Sequence, residues 1–354
     1  MLKEEGKELK DLKQIITTYL VPYVEKIDQE AYYAGHYLRE LGVAGFFSIE
    51  GKTKAKAMLD RIAIVQETAK VCMTTAFCVW CHLAAITYVT HTKNDHLKSD
   101  ILPKLIRGDI IAGSGLSNPL KSFSNLETIH LKAIEVEGGY RINGKLPAVS
   151  NIGTHHSFAF IANIDEKGPV MFFTPCHVKG LTIKEKTDFF GLNGSATYSC
   201  QLEDVFVPKE NVIAFDALDY VQQVRSEFVA YQIPLGLGVT IASIDEMEAM
   251  LETNNGINKH IRIQPQLLKE RYDLLQSEFN QLVKNNEFSW EKTIQIRLEV
   301  AYLTLEAVQA GMIHSGGKGY ARISPHARRL REAYFIVNLT PTIKHLETIL
   351  PNSV

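Results

Sequence analysis

The hydrophobic period of this chain changes twice, and that limits its fold more than any single motif. Through residues 1–108 apolar side chains recur at helical spacing, beginning with the stripe Leu9, Leu12, Ile16, Tyr19 and Leu20. From Asp109 the period becomes two and turn residues crowd between short runs. Pro208 closes that block, and from Ala217 the helical period returns and persists. The pattern predicts an α+β chain with three consecutive parts: helical over 1–108, β over 109–215, and a helical bundle over 216–354.

Strands are expected at 109–116, 127–137, 140–142, 157–164, 170–174, 181–185 and 196–207. Gly138-Gly139, Asn143-Gly144, Lys167-Gly168-Pro169 and Lys179-Gly180 read as the turns between them. Short strands and frequent turns point to a compact sandwich or barrel. The last part reads as four long helices at 217–252, 265–284, 290–312 and 326–349, joined by short loops and so packed antiparallel.

Composition excludes several classes of function. A net charge of −2 leaves no field to hold nucleic acid or an anionic membrane. The basic run at 326–331 reads as one solvated or salt-bridged helical turn. The charged N-terminus lacks an apolar signal core, and no apolar run is read as membrane-spanning, so a cytoplasmic location is expected. Five cysteines, an odd and low count, fit reduced thiols. The stretch CVWCH (78–82) has the spacing that tethers a c-type haem. It lies, however, in VCMTTAFCVWCHLAAITY (71–88), which is apolar nearly all round and reads as a buried helix. With no second ligand pair at suitable spacing, no metal site is expected. Gly236 and Gly238 loosely fit a dinucleotide fingerprint, but their flanks are helical on both sides. Close helix approach explains them better. Gly316-Gly317-Lys318-Gly319 is not a Walker loop, yet it offers unhindered backbone N–H groups to a phosphate.

Four stretches, in order, carry a family likeness: GSGLSNP (113–119), GGYRINGKLPAVSN (138–151), FFGLNGSATYSCQLEDVFVPKENVI (189–213) and GGKGYARISPHARRLREA (316–333). Through them the chain resembles the acyl-CoA dehydrogenase superfamily of flavoproteins. The resemblance implies an N-terminal helical domain, a central β domain and a C-terminal four-helix bundle, with FAD between the last two (FMN or reduced flavin being the alternatives). It implies a homodimer or homotetramer whose partner subunit helps hold the adenosine part. By the same resemblance, Leu116 and Ser117 lie along the isoalloxazine ring and Ser150 bonds the flavin edge. Gly316 and Gly317 approach the partner's pyrophosphate, Thr342 stands near the adenine end, and Gln264 matches a glutamine of the second bundle helix.

The departures bear on chemistry. Ala148 stands where the family has a ring-covering tryptophan, Phe123 where a serine greets CoA, and Ile313 where a glutamine precedes the glycine turn. Lys259 or Arg262 substitutes for an arginine. The family's usual glutamate base falls at Thr340, in Asn338-Leu339-Thr340-Pro341-Thr342. Members with the base on the first bundle helix align it with Ser226. Its neighbour Glu227 is turned by about 100°. A branch that activates oxygen with reduced flavin has histidine where Leu339 stands; His345, His155 and His156 are other candidates. Thr340 and Glu227 are therefore the candidate catalytic residues. The expected activity is dehydrogenation at the CH–CH group of an acyl thioester or similar carbonyl-activated substrate. The alternatives are a reduced-flavin-dependent monooxygenase or oxidase served by an electron-transfer or reductase partner, and a non-catalytic binding or assembly member.

Overall fold

The computed structural model describes residues 2–184, 188–285 and 288–350. Six helices come first: α1 (Leu2–Tyr19), α2 (Val24–Gln29), α3 (Gly35–Val43), α4 (Lys54–Val71), α5 (Met73–His91) and α6 (Leu102–Ile106). The strands are β1 (Ala112–Ser114), β2 (Leu131–Val136), β3 (Gly139–Val149), β4 (Ser157–Ile164), β5 (Gly168–Pro175), β6 (Leu181–Lys184), β7 (Tyr198–Pro208) and β8 (Val212–Ala214), with the short helix α7 (Ser117–Ser122) between β1 and β2. Six helices follow: α8 (Ala217–Ala230), α9 (Ile233–Met250), α10 (Pro265–Lys284), α11 (Trp290–Ser315), α12 (Pro325–Asn338) and α13 (Ile343–Ile349). The helix–strand–helix order matches the period of the sequence.

The sheet runs β6-β7-β3-β2-β4-β5-β8, and β1 pairs parallel with β4. One apolar core fills the sheet and a second threads the helices; β4 belongs to both. Phe158, Phe160 and Ala162 face the first, whereas Ala159 and Ile161 face the second. A strand covered on both faces is apolar throughout, which is why FAFIA shows no polar alternation.

Local readings needed correction where one residue changes the backbone course. Asn143-Gly144 is not a turn. It lies inside the long β3, where a register shift against β7 and a Gly144 φ of 132° mark an irregularity in a continuing strand. The strand expected at 109–116 shrinks to β1, because Leu116 already caps α7. The expected 181–185 strand is seen through Lys184; its last residue lies outside the described residues. The helix expected over 217–252 is two, broken before Pro234, whose ring removes a backbone donor. That expected over 326–349 is also two, separated at residues 339–342. Contrary to expectation, Met73–His91 and Ala217–Met250 are long and apolar enough to cross a membrane, but 94% of each apolar window is buried inside the protein.

Helix α5 is the axis of the helical core: every residue from Met73 to Val89 is buried. The CVWCH stretch sits here as core. His82 Nδ1 accepts the Ala112 N–H at 3.2 Å, so Nε2 carries the proton and donates to the Leu105 carbonyl at 3.0 Å. The imidazole thus ties the end of α6 to the start of β1. Burial lowers its pKa to about 4. Between pH 6.5 and 4 the unfolded chain therefore binds a proton that the folded chain refuses, and stability falls as pH falls. Over that window His82 contributes a loss of about 3 kcal/mol. His82→Gln should flatten the melting temperature against pH there and lower stability at neutral pH by about 1–3 kcal/mol. Thermal melts from pH 4 to 8 check both.

Candidate active site

A cavity of about 450 Å³ lies where α5, the β1–α7 turn, the end of β3, the loop before β7 and the end of α12 converge. Each wall has a local cause. The end of β3 is pinned by Asn151, whose φ of 60° suits asparagine. Its Nδ2 donates to the Ala112 carbonyl at 2.8 Å and its Oδ1 accepts the Tyr33 hydroxyl at 2.6 Å. This draws β3 so close to β1 that a Cβ on Gly113 would stand 2.2 Å from the Ser150 carbonyl oxygen, so only glycine fits.

The walls are mainly aromatic. Phe77 stacks on Trp80 at 5.5 Å and meets Phe335 edge-on at 4.6 Å. Trp80 is fixed by Nε1 donating to the Phe228 carbonyl at 2.7 Å. Phe189, Phe190 and Tyr334 also line the cavity, and Phe190 is 68% exposed. Hydroxyls are grouped against these rings. Thr197 Oγ1 donates to Ser150 Oγ at 2.8 Å and pairs with Ser195 Oγ at 2.8 Å. The Tyr88 hydroxyl pairs with Ser114 Oγ at 3.2 Å. Across the cavity, Ser117 Oγ and Thr340 Oγ1 lie 2.9 Å apart. Among the described lining residues there is no carboxylate, and the one charged side chain is Arg331, paired with Asp28.

Leu116, Ser117, Ser150 and Thr340 are thus brought together, and Ala148 lines the space beside them. Glu227 does not belong to this group. It accepts from the ring of His91 at 2.9 Å and sits near Thr87 and Tyr231, away from the cavity lining. Burial opposes its charge, but the His91 hydrogen bond together with the Arg61 and Lys54 charges outweighs that and its pKa is lowered. Thr342 caps α13 by accepting the His345 N–H at 3.2 Å. Gln264 caps the turn before α10, donating to the Asn258 carbonyl at 3.1 Å, and Asn258 in turn donates to the His314 carbonyl at 3.2 Å. Gln264 therefore shares one end of the bundle with Gly316 and Gly317, both exposed and with nothing within 4 Å of an added Cβ. His156 is buried, bonded to the Asn151 carbonyl at 3.0 Å; His155 is exposed. His345 lines a smaller neighbouring cavity, its Nε2 2.6 Å from Ser124 Oγ. Gly236 and Gly238 mark close helix approach: added Cβ atoms would stand 2.6 Å from Val300 Cγ1 and 2.5 Å from the Gln66 carbonyl oxygen.

Sequence reasoning missed the aromatic wall and Arg331. A signal existed in the spacing of Arg331, Phe335 and Asn338 along one face of α12. Of the two readings of the basic run, the salt-bridged one holds and the solvated one does not. Arg328 and Arg329 are each 7% exposed, and Arg329 forms a bidentate pair with Glu246 at 2.6 and 2.7 Å. Among the described residues, no group of three or more His, Cys, Asp or Glu is placed to hold a metal ion.

An α–β–α chain with an apolar, hydroxyl-bearing cavity at the junction of its layers is the class defined by this fold and site. The acyl-CoA dehydrogenase N-terminal domain model matches residues 3–109. A potato (Solanum tuberosum) mitochondrial isovaleryl-CoA dehydrogenase is 26% identical over 60% of this chain and 54% of its own length. The chain thus spans about half the length of that curated relative. The fold is that of butyryl-CoA dehydrogenase from Megasphaera elsdenii (TM-score 0.87, 17% identity, 98% and 97% of the two chains). It is also that of a structure described as PigA with FAD and proline (TM-score 0.84, 15% identity, 98% and 96%). Residues 3–109 thus match the N-terminal domain of acyl-CoA dehydrogenases, and the chain as a whole shares the fold of these solved structures.

Cys81 lines the cavity, but burial raises its thiol pKa well above the ordinary value, and Cys72 is pushed up to about 11. All five cysteines are buried and unpaired. An aromatic disulfide reagent at pH 7.5 should label none of them within minutes in the native protein and all five after unfolding. Fast native labelling of Cys78 or Cys81 would contradict their place in the core.

Proposed function

We propose that the chain is a flavin-dependent oxidoreductase that takes FAD into this cavity and oxidises the CH–CH group of an acyl thioester or a similar carbonyl-activated substrate. The observation that carries the reading is the convergence of Leu116, Ser117, Ser150 and Thr340 on one aromatic-walled cavity. A volume of about 450 Å³ falls in the range of small-molecule sites. The serine hydroxyls can bond the polar edge of a flat heteroaromatic ring while Phe335 and Trp80 offer apolar surface. Gly316 and Gly317, open at the bundle end, suit the pyrophosphate of FAD held with a second subunit of a homodimer or homotetramer.

When bound, a flavin supplies a two-electron acceptor for hydride. The chain's own residues must orient the substrate, exclude water and dispose of the proton. With no lining carboxylate, the Thr340–Ser117 pair would relay the proton to solvent water, which is its acceptor. A hydroxyl is no base at neutral pH, but two in contact can pass a proton. Thr340 is 6% exposed and Ser117 is exposed, so the pair links the cavity interior to solvent. Such a site fits a substrate whose leaving proton is already acidic. The same lack of a carboxylate favours a second reading, an oxygen-using reaction that needs no α-proton base, with reduced flavin supplied by a reductase partner.

Anaerobic mixing of the FAD-loaded protein with acyl thioesters of graded size distinguishes them. Dehydrogenation predicts bleaching of the flavin band; no bleaching, together with oxygen uptake in a separate aerobic assay that depends on both protein and substrate and exceeds that of free reduced flavin, favours the second. Thr340→Glu, which restores a carboxylate, should raise the bleaching rate about 10²-fold or more. An unchanged rate would remove Thr340 from the reaction centre.

A further inference from the structure

Arg297 on α11 is 1% exposed, and among the described residues no carboxylate pairs with it. Burial lowers its pKa only to about 10, so it is charged at neutral pH. Two of its three guanidinium nitrogens are bonded, while Nη1 is buried without a partner. Nη2 donates to the Ile336 carbonyl at 3.0 Å, one of the last carbonyls of α12, where the helix dipole is negative. Nε donates to Gln232 Oε1 at 3.1 Å. Gln232, also 1% exposed, sits in the break between α8 and α9, and its Nε2 donates to the Thr340 carbonyl at 2.9 Å. A continuous chain therefore runs from Arg297 through Gln232 to Thr340, whose hydroxyl meets Ser117 in the cavity.

We infer that Arg297 is a positioning residue: acting through Gln232, it fixes the Thr340 hydroxyl in the cavity. The bonds to Ile336 and Thr340 grip both sides of the point where α12 ends, and that segment delivers Asn338, Leu339 and Thr340 to the site. The orientation of Gln232 is set by the charge, because a guanidinium only donates and so selects the amide oxygen. The amide nitrogen is then left for the Thr340 carbonyl. This deepens the reading of the cavity as an active site and rests on it only for the catalytic consequence.

Gln232→Glu separates positioning from packing. A carboxylate keeps an acceptor for Arg297 but presents a second acceptor to the Thr340 carbonyl, so the grip on Thr340 is lost without loss of the charge contact. With threonine methyls labelled and the Thr340 resonance assigned by Thr340→Ser, Gln232→Glu should shift that resonance. The exposed Thr182 on β6 should stay in place, as should the melting temperature. Arg297→Met should shift Thr340 as well, and Arg297→Lys should return it toward the parent position. If Arg297→Met does not fold, the Gln232→Glu result stands alone. An unmoved Thr340 methyl in Gln232→Glu would overturn the inference. The visible spectrum of FAD added to the same samples reports separately on the flavin. A parent protein that leaves that spectrum unchanged would sink the flavin reading, while a shifted Thr340 methyl would still support the clamp.

Discussion

A helix with no solvated face must be held entirely by its neighbours, and α5 is such a helix. Its first turn has no cap of its own, because Cys72 makes no side-chain capping bond. The buried carboxylate of Glu332 on α12 supplies it, accepting the Thr74 N–H at 3.1 Å and the Thr74 hydroxyl at 3.0 Å. Charge at a helix N-terminus is favourable, and this contact binds the last long helix to the central one. The cavity depends on that union. Phe77, Trp80, Cys81 and Tyr88 come from α5, while Arg331, Phe335 and Asn338 come from the helix that caps it.

Helix α12 makes two complementary polar contacts along its length. Near its middle, Glu332 meets the positive end of α5; at its C-terminal end, the carbonyl of Ile336 meets the Arg297 guanidinium. Each buried group meets a helix terminus and is partly hydrogen-bonded, leaving Arg297 Nη1 and Glu332 Oε2 without partners. Buried ions held in this way fix orientation more than they add stability. Here the fixed orientation is that of the segment bearing Thr340, opposite the β1–α7 turn bearing Ser117. The sheet contributes the third wall because β4, apolar on both faces, joins its own core to that of the helices.

The fold was legible because hydrophobic period survives in a single sequence, and so was the burial of CVWCH within an all-round apolar run, although that Trp80 and Cys81 line the cavity was not. The breaks were less legible. Pro234 and Pro341 each sit inside runs with helical period, and period alone does not say which proline ends a helix. Asn143-Gly144 has turn chemistry, yet pairing with β2 and β7 carries the strand through it. At the site, positions on the short stretches that carry the family likeness could be placed by resemblance. The aromatic wall could not, because Phe189, Phe190 and Phe335 reach the cavity from segments far apart in the chain. The link from Arg297 through Gln232 to the Thr340 carbonyl was equally hidden, because it joins α11 to two helix breaks far apart in the sequence.

The central proposal is that a flavin binds in the junction cavity. A crystal structure of the protein grown with FAD tests it most directly. The account predicts the isoalloxazine ring in the cavity, beside Ser117 and Ser150 and within reach of Thr340. FAD bound elsewhere, or a cavity filled by ordered water at saturating FAD, would contradict it.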